Sequence, residues 1–598
     1  MLRLLLIIPI IGSLLLISIN ENKKSLLKNI ALITSLINLL ISIILWIEFD
    51  SNTIEYQFIN EFDKLSFYHF NIGVDGISLS FVLITTFITP IALLSNHTSI
   101  TNNLKYFLIS ILILETLQIG LFVVLDLILF YIFFESILPI FFLLIILYGS
   151  GQNKVRSANL LFLYTFAGSL PMLLAILLIY SYLGSTDFTI ISLSEISLES
   201  QKILFFCFFI ALAVKTPLWP FYMWLPRAHS DANLAGSVIL AGTVLKFATY
   251  GTLRVLINFL PDATNYFCPF VQTIAIITLI YASLATIVQE DTKKLIAYSS
   301  ICHMAVVTLG LFSNTIIGLE GAILLAIAHG LVSPALFIIV GGIIYDRTHT
   351  RLIPYLRGLV TYMPLSSVLF FIFILANSGV PLSLNFLGEQ LSLIGIWQRN
   401  PFIASLGATS IVFSAIYSIF IFNRISFGTY SSYLPILKDI NRREFFLLLS
   451  LLIPTFILGI FPNIILDTIH TSITQLLYNN FFNPISFKNM ENHQILLAFN
   501  ATMFNLKQMN YEKNNCKDIV VFGTNLGLTI NFDFYSKQIR EMIELPNFQF
   551  STIIGLYLSN GWSVLSPVRN LYPKLTKKYN LNIKFIFTLF FYWLFVLI

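Results

Sequence analysis

Fourteen apolar runs, each close to the length of a bilayer-crossing helix, follow one another through residues 2–466, and no other feature limits the fold as severely. A hydrocarbon core about 30 Å thick offers backbone groups no water, and about 20 helical residues span it with every internal N–H and C=O paired. The runs lie at about 2–19, 26–48, 76–97, 106–124, 126–148, 158–183, 203–225, 231–257, 268–288, 294–313, 318–344, 363–396, 402–424 and 445–466. They predict an all-α polytopic membrane protein of about fourteen helices, with lipid as its surroundings. The first run lacks a small-residue cleavage site and is followed by many others, so it reads as a retained helix rather than a signal peptide. Between the second and third runs, the polar and aromatic stretch 51–72 predicts an interfacial segment.

Charge divides the chain more sharply than hydropathy does. Residues 481–598 hold 11 Lys and Arg against 6 Asp and Glu, so they carry the whole net charge of +5, and residues 1–480 are balanced. Two domains follow: a neutral membrane body, 1–480, and a basic, Asn-rich extension, 481–598. Within the body, loops after odd-numbered runs hold sixteen Lys and Arg, while loops after even-numbered runs hold only Lys64, Lys202, Arg254 and Arg399. Basic loops stay on the side of synthesis, so this bias assigns the odd loops to one face. A miscount of one run would scramble it. The four cysteines, Cys207, Cys268, Cys302 and Cys516, form no CxxC, and no Gly-rich phosphate loop follows a strand. Nothing therefore points to a disulfide framework, a zinc or iron–sulfur site, or a nucleotide fold.

Two of the runs are broken and charged. AVKTPLWPFYMWLPRAHSDA sets Lys215 in apolar surroundings and interrupts the helix at Pro217, Pro220 and Pro226. NSGVPLSLNFLGE breaks at Gly379 and Pro381 and resumes with Glu389. A lysine at mid-membrane depth costs about 2.5–3.5 kcal/mol on insertion scales, and interrupted helices bearing charge mark ion pathways in transporters built from repeats. Glu135 lies in the middle of LDLILFYIFFESILPIF, and Lys246 follows Lys215 one run later. Facing each other, Glu135 and Lys215 would hold one another charged, and separating them would free the lysine's proton. A static ion pair that only fixes helix packing is the plainer alternative. His303 (AYSSICHM) and His329 (AIAHGLVSP) add groups that titrate near neutrality. Singly, each suits a polar contact between helices. One titratable group per run, in the order Glu135, Lys215, Lys246, His303, His329 and Glu389, is hard to explain as packing. Asp75 and Glu115 stay ambiguous between pathway and capping or pairing roles.

These motifs carry a resemblance. VKTPLWPF, WLPRAHSDA, GSVILAGTVLK, KKLIAYSSICHM, AHGLVSPALF and LNFLGE resemble the proton-pumping subunits of respiratory complex I, the NADH–ubiquinone oxidoreductase. WLPRAHSDA followed by GSVILAG, with GVDGISLSFVLITT at 73–86, fits the chain 4 branch rather than chain 2 or chain 5. Over residues 1–478 the resemblance implies an antiporter-like fold in which helices 4–8 and 9–13 form two inverted five-helix repeats. It implies Glu135, Lys215, Lys246 and Glu389 on the proton route, with His303 and His329 on the polar axis between them. It also implies no redox centre in this chain, with NADH, FMN, iron–sulfur clusters and ubiquinone handled by partner subunits. The implied partners are other membrane-arm subunits, including neighbouring antiporter-like chains. The implied place is the mitochondrial inner membrane, with the odd loops in the matrix. Many relatives carry His at Tyr222, Glu at Asp231 and Asp346, and Pro at Asn233; these are rim positions. A cation/proton antiporter subunit is the competing reading of the body.

The extension differs in kind. DIVVFGTNLGLTINFDFYSKQIREMIELPNFQFSTIIGLYLSNGW resembles the start of a LAGLIDADG homing endonuclease from an intron reading frame. The motif's metal-binding acid is replaced by Asn560, a poor anionic ligand for a divalent ion. Too little chain follows for a second motif and a DNA-binding sheet. The expectation is a degenerate, non-catalytic α+β remnant facing away from nucleic acid; an active endonuclease or maturase fused in frame is the alternative.

Overall fold

The computed structural model describes residues 1–60, 71–100 and 102–481, with side chains as far as 477. The chain divides into two units, 1–491 and 492–598. The second, with the endonuclease-like stretch, lies outside the described residues.

The first unit is a bundle of helices that fall on the fourteen apolar runs. Eleven helices among the described residues are individually long and apolar enough to cross a membrane. The remaining three runs are the short helix Leu2–Ser18 and the two interrupted ones. Burial follows position. The apolar centres of Leu234–Ile257 and Ile316–Thr348 are wholly buried, whereas those of Lys24–Glu48 and Arg442–Ile460 turn mostly outward, toward lipid or neighbours.

Caps mark the ends. Asp75 accepts from Ser78 N–H while Ser78 Oγ accepts from Asp75 N–H, a reciprocal box that opens Gly76–Ser95. Asp126, Asp187 and Asp291 open Leu127–Tyr148, Phe188–Leu193 and Thr292–Leu311 with one-way caps, their carboxylates accepting from first-turn N–H groups. Asn233 takes the Gly236 N–H at 2.7 Å and so supplies a side-chain cap to Leu234–Ile239.

Both predicted breaks are present. The first half-helix, Leu198–Lys215, stops at the lysine, and a 3-10 turn leads into Trp224–Asp231. Trp224 Nε1 donates to the freed Val214 carbonyl at 2.9 Å, and Thr278 Oγ1 accepts from Trp219 N–H. Protein groups thus satisfy what the prolines leave open, as the bilayer demands. The second break parts Pro364–Asn377 from Leu384–Trp397, with Gly379 at φ +73°.

Three features depart from the sequence reading. Stretch 51–72 supplies a strand, Gln57–Asn60, antiparallel to Ile72–Val74. A further helix, Asn463–Phe481, follows the fourteenth run; Ile469, Ile473, Leu476 and Leu477 are buried, and Ser472 Oγ accepts from Gly76 N–H. Arg254 is not a loop residue. It lies buried in the eighth helix, in ion-pair contact with Asp75 and within 3.4 Å of the Tyr56 hydroxyl. Removing it from the even loops strengthens the charge bias.

Candidate functional site: a buried row of titratable groups

The site begins with a helix irregularity. Leu234–Ile257 contains two π-helical stretches, Leu240–Val244 and Thr252–Ile257, and Lys246 follows the first. A π-turn displaces the regular i to i−4 pairing and often marks a functional position. Here Lys246 Nζ donates to the Ala241 carbonyl at 2.6 Å. Its other contact is His329 Nδ1, at 3.0 Å. Gly330 makes room for this approach: a Cβ there would stand 3.3 Å from Lys246 Cε and closer still to Ile84.

His329 lies in Ile316–Phe337, and its ring centroid is 5.9 Å from that of His303 in Thr292–Leu311. His303 Nδ1 meets Glu389 Oε1 at 3.0 Å, and its Nε2 meets Asn377 Oδ1 at 3.1 Å. With both partners accepting, the imidazole donates from both nitrogens and is the protonated species; with the Asn377 amide turned over, it is neutral. Both halves of the second broken helix therefore grip one histidine, Asn377 from before the break and Glu389 from after it. Gly379 lies against Glu389, and a Cβ there would come 2.9 Å from Oε2. Lys246, His329, His303 and Glu389 are each at most 3% exposed.

Glu135 and Lys215 form a looser pair. Their charges act on one another, yet no ion-pair contact joins them. Lys215 Nζ has no hydrogen-bond partner and lies 4.5 Å from the Phe134 ring centroid, and Glu135 is only half-buried, beside Ser169. Against the expected facing pair, the two groups feel one another's charge but form no salt bridge among the described residues. No hydrogen bond joins Lys215 to Lys246 among the described residues.

The two repeats echo one another here. Glu135 lies on helix five and Lys215 on the broken helix seven; His303 lies on helix ten and Glu389 on the broken helix twelve. The acid and the base exchange places between the halves.

Three residues of the site were missed in the sequence. Asn377, the last residue before the second break, was read as part of the break. Tyr417 is buried with a hydroxyl that lacks a partner, in the electrostatic neighbourhood of Glu389 and Cys302. His229 lies inside WLPRAHSDA but was read only as part of the motif. Its ring stacks on Phe337 at 4.5 Å, both nitrogens lack partners, and it feels the charges of Lys293 and Lys246. Lys293 in turn donates to the Ala232 carbonyl at 2.8 Å, near the odd-loop face. Of the rim positions, Asp231 accepts from Ser157 Oγ at 2.5 Å and Tyr222 packs edge-on to Tyr298.

Residues 124–414 match the family described as NADH:quinone oxidoreductase/Mrp antiporter, transmembrane. NADH-ubiquinone oxidoreductase chain 4 of Mycosarcoma maydis is 62% identical over 482 residues, which is 80% of this chain and all of the relative. The Arabidopsis thaliana protein of the same name is 45% identical over 80% of this chain and 97% of its own. Among solved structures, a chain of respiratory complex I from Thermus thermophilus superposes with a TM-score of 0.73 at 27% identity, over 80% of this chain and 100% of that one. A chain of the Mrp complex from Dietzia reaches the same TM-score at 18% identity, over 81% of this chain and 98% of that one, a likeness of fold alone.

Proposed function

The chain belongs to the NADH-ubiquinone oxidoreductase chain 4 family, an antiporter-like subunit of the membrane arm of complex I, and from that premise we propose that Lys246, His329, His303 and Glu389 are the relay by which it moves protons. The observation that carries the reading is the pair of contacts at the two ends of the row, lysine to histidine and histidine to glutamate, joined by two rings 5.9 Å apart.

In this mechanism the Lys246 ammonium gives its proton to His329 Nδ1, and His329 releases one from Nε2. One water molecule can bridge the two rings. His303 receives the proton and passes it from Nδ1 to Glu389, whose carboxylate stabilises the imidazolium until transfer. Lys215 supplies the next charge from its side of Lys246, its hold on the proton set by how close Glu135 stands. His229 joins the relay to the odd-loop face, since it lies in the field of both Lys293 and Lys246. That face is the matrix, uptake occurs there, and release follows near Glu389 toward the intermembrane space. At a membrane potential of about 150 mV each proton costs on the order of 3.5 kcal/mol, so the step needs energy from electron transfer held by partner subunits.

The same reading places the chain in the mitochondrial inner membrane and leaves residues 481–598 as a non-catalytic appendage; Asn560 at the metal-ligand position of the endonuclease-like motif supports the latter. The test is a complex bearing Glu389→Gln in sealed vesicles. NADH oxidation by an acceptor that draws electrons from the peripheral arm should persist while proton uptake is lost; undiminished pumping would remove Glu389 from the route. Labelling of cysteines introduced at Lys294 or Arg442 from the matrix side only would support the orientation, and labelling from the other side would reverse it.

A further inference from the structure

One fully buried carboxyl stands apart from the relay. Glu115 lies midway along Leu104–Val123, with no exposed surface. Asn38 of Lys24–Glu48 donates to its Oε1 at 2.7 Å, and the Thr89 hydroxyl of Gly76–Ser95 lies against it. A turn farther along helix two, Ser42 Oγ and Thr86 Oγ1 are 2.7 Å apart. On the other side, Gln118, one turn beyond Glu115, accepts from Thr243 at 3.1 Å, and Thr243 lies one turn before Lys246. Polar groups thus run from Asn38 through Glu115 and Gln118 to the helix that carries the lysine.

Two properties argue against simple packing. Among the described residues Glu115 takes part in no ion pair, and a carboxylate buried without a cation is too costly to keep, so the resting group holds its proton. With Oε1 accepting from Asn38, that proton belongs on Oε2. Glu115 Oε2, Asn38 Oδ1 and Gln118 Nε2 are all buried without a protein partner. Groups that served only to tie helices together would be expected to satisfy one another. Here a donor and acceptors are left over on side chains that link helix four to helix two and to the helix of Lys246.

We propose that Glu115 is a further proton-exchanging residue of this subunit, a side branch that lends a proton to Lys246 and takes it back. When Lys246 has passed its proton to His329 it is a neutral amine. The O–H bond of Glu115 then breaks, the proton moves past Gln118 and Thr243, and an N–H bond forms on Lys246. The products are a carboxylate and an ammonium, and uptake through His229 reverses the step. This rests on the reading of Lys246 as a carrier.

The experiment uses the whole complex in vesicles with Glu115→Gln, Glu115→Asp and Glu389→Gln. Infrared difference spectra between resting and turning-over enzyme report carboxyl groups that change protonation, and proton uptake is followed in parallel. Glu115→Gln should remove one carboxylic C=O component and slow coupled turnover about tenfold, the effect of raising one step by about 1.4 kcal/mol. Glu115→Asp should restore both in part. If Glu115→Gln fails to assemble, Thr243→Val, which cuts the link and leaves the carboxyl, should keep the band in the resting spectrum and lose its change on turnover. A difference spectrum unaltered by Glu115→Gln, or by Thr243→Val where that variant stands in, overturns the proposal. If Glu389→Gln also pumps normally, the relay itself fails; if only the Glu115 effect is missing, the relay stands without its branch.

Discussion

His303 is the residue whose loss the relay could least absorb, because it contacts both halves of the second broken helix. Replacing it with leucine removes the 3.0 Å contact to Glu389 and the 3.1 Å contact to Asn377, both buried. Each orphaned partner costs about 1–3 kcal/mol, a strain that a large assembled subunit can bear. The kinetic effect is of another order. His329 would lose the imidazole that faces it across the gap to Glu389, and removing a positioned proton carrier slows transfer by about 10²–10⁴. Coupled NADH–ubiquinone turnover and proton uptake in vesicles should therefore fall roughly a hundredfold or more, while NADH oxidation by a direct acceptor stays near wild type. His303→Gln separates the two effects. The amide can still bond with Asn377 and Glu389, so thermal stability should return most of the way, yet an amide does not carry a proton and pumping should stay lost. A His303→Gln complex that pumps like the wild type would refute the argument, because it would show that the ring is needed only as a hydrogen-bonding spacer.

Three further outcomes follow from particular contacts. Lys215→Arg keeps the charge beside Glu135 but cannot release a proton at physiological pH, so uptake should cease, as it should in Lys215→Ala and Glu135→Ala; normal pumping by the arginine variant would return the pair to a structural role. Arg254→Leu leaves Asp75 buried without its cation, which costs about 3–5 kcal/mol, and the thermal midpoint of the complex should drop; the double variant with Asp75→Asn should recover part of the loss, and an additive double variant would deny the coupling. Mass spectrometry of the purified complex should recover peptides of residues 1–480 in excess of the tryptic peptide 518–537 if the extension is an appendage that is removed, and in equal amount if it is retained.

How much of this was legible beforehand depended on which physical constraint acted on each residue. The bilayer imposes run length and charge placement, so fourteen runs, two breaks and the buried Lys215, Lys246 and Glu389 could be read directly. Arg254 escaped because an arginine near a run's end looks like a loop residue until its partner, Asp75, is seen 179 positions earlier at a helix cap. His229 and Asn377 escaped for a related reason: each lies beside a proline or glycine break, and the break claimed the attention. Only folding shows that Asn377 and Glu389, on opposite sides of one interruption, close on the same imidazole. Glu115 marks the limit most sharply. In the sequence it is one acid near two polar neighbours, equally suited to capping or pairing. The bundle gives it Asn38 from 77 residues away and leaves its other oxygen without a protein partner. An interrupted helix is therefore best read as a device for bringing side chains from both of its halves to one point. The sequence shows where such a point must exist, and the packing of the other helices decides which proton carriers reach it.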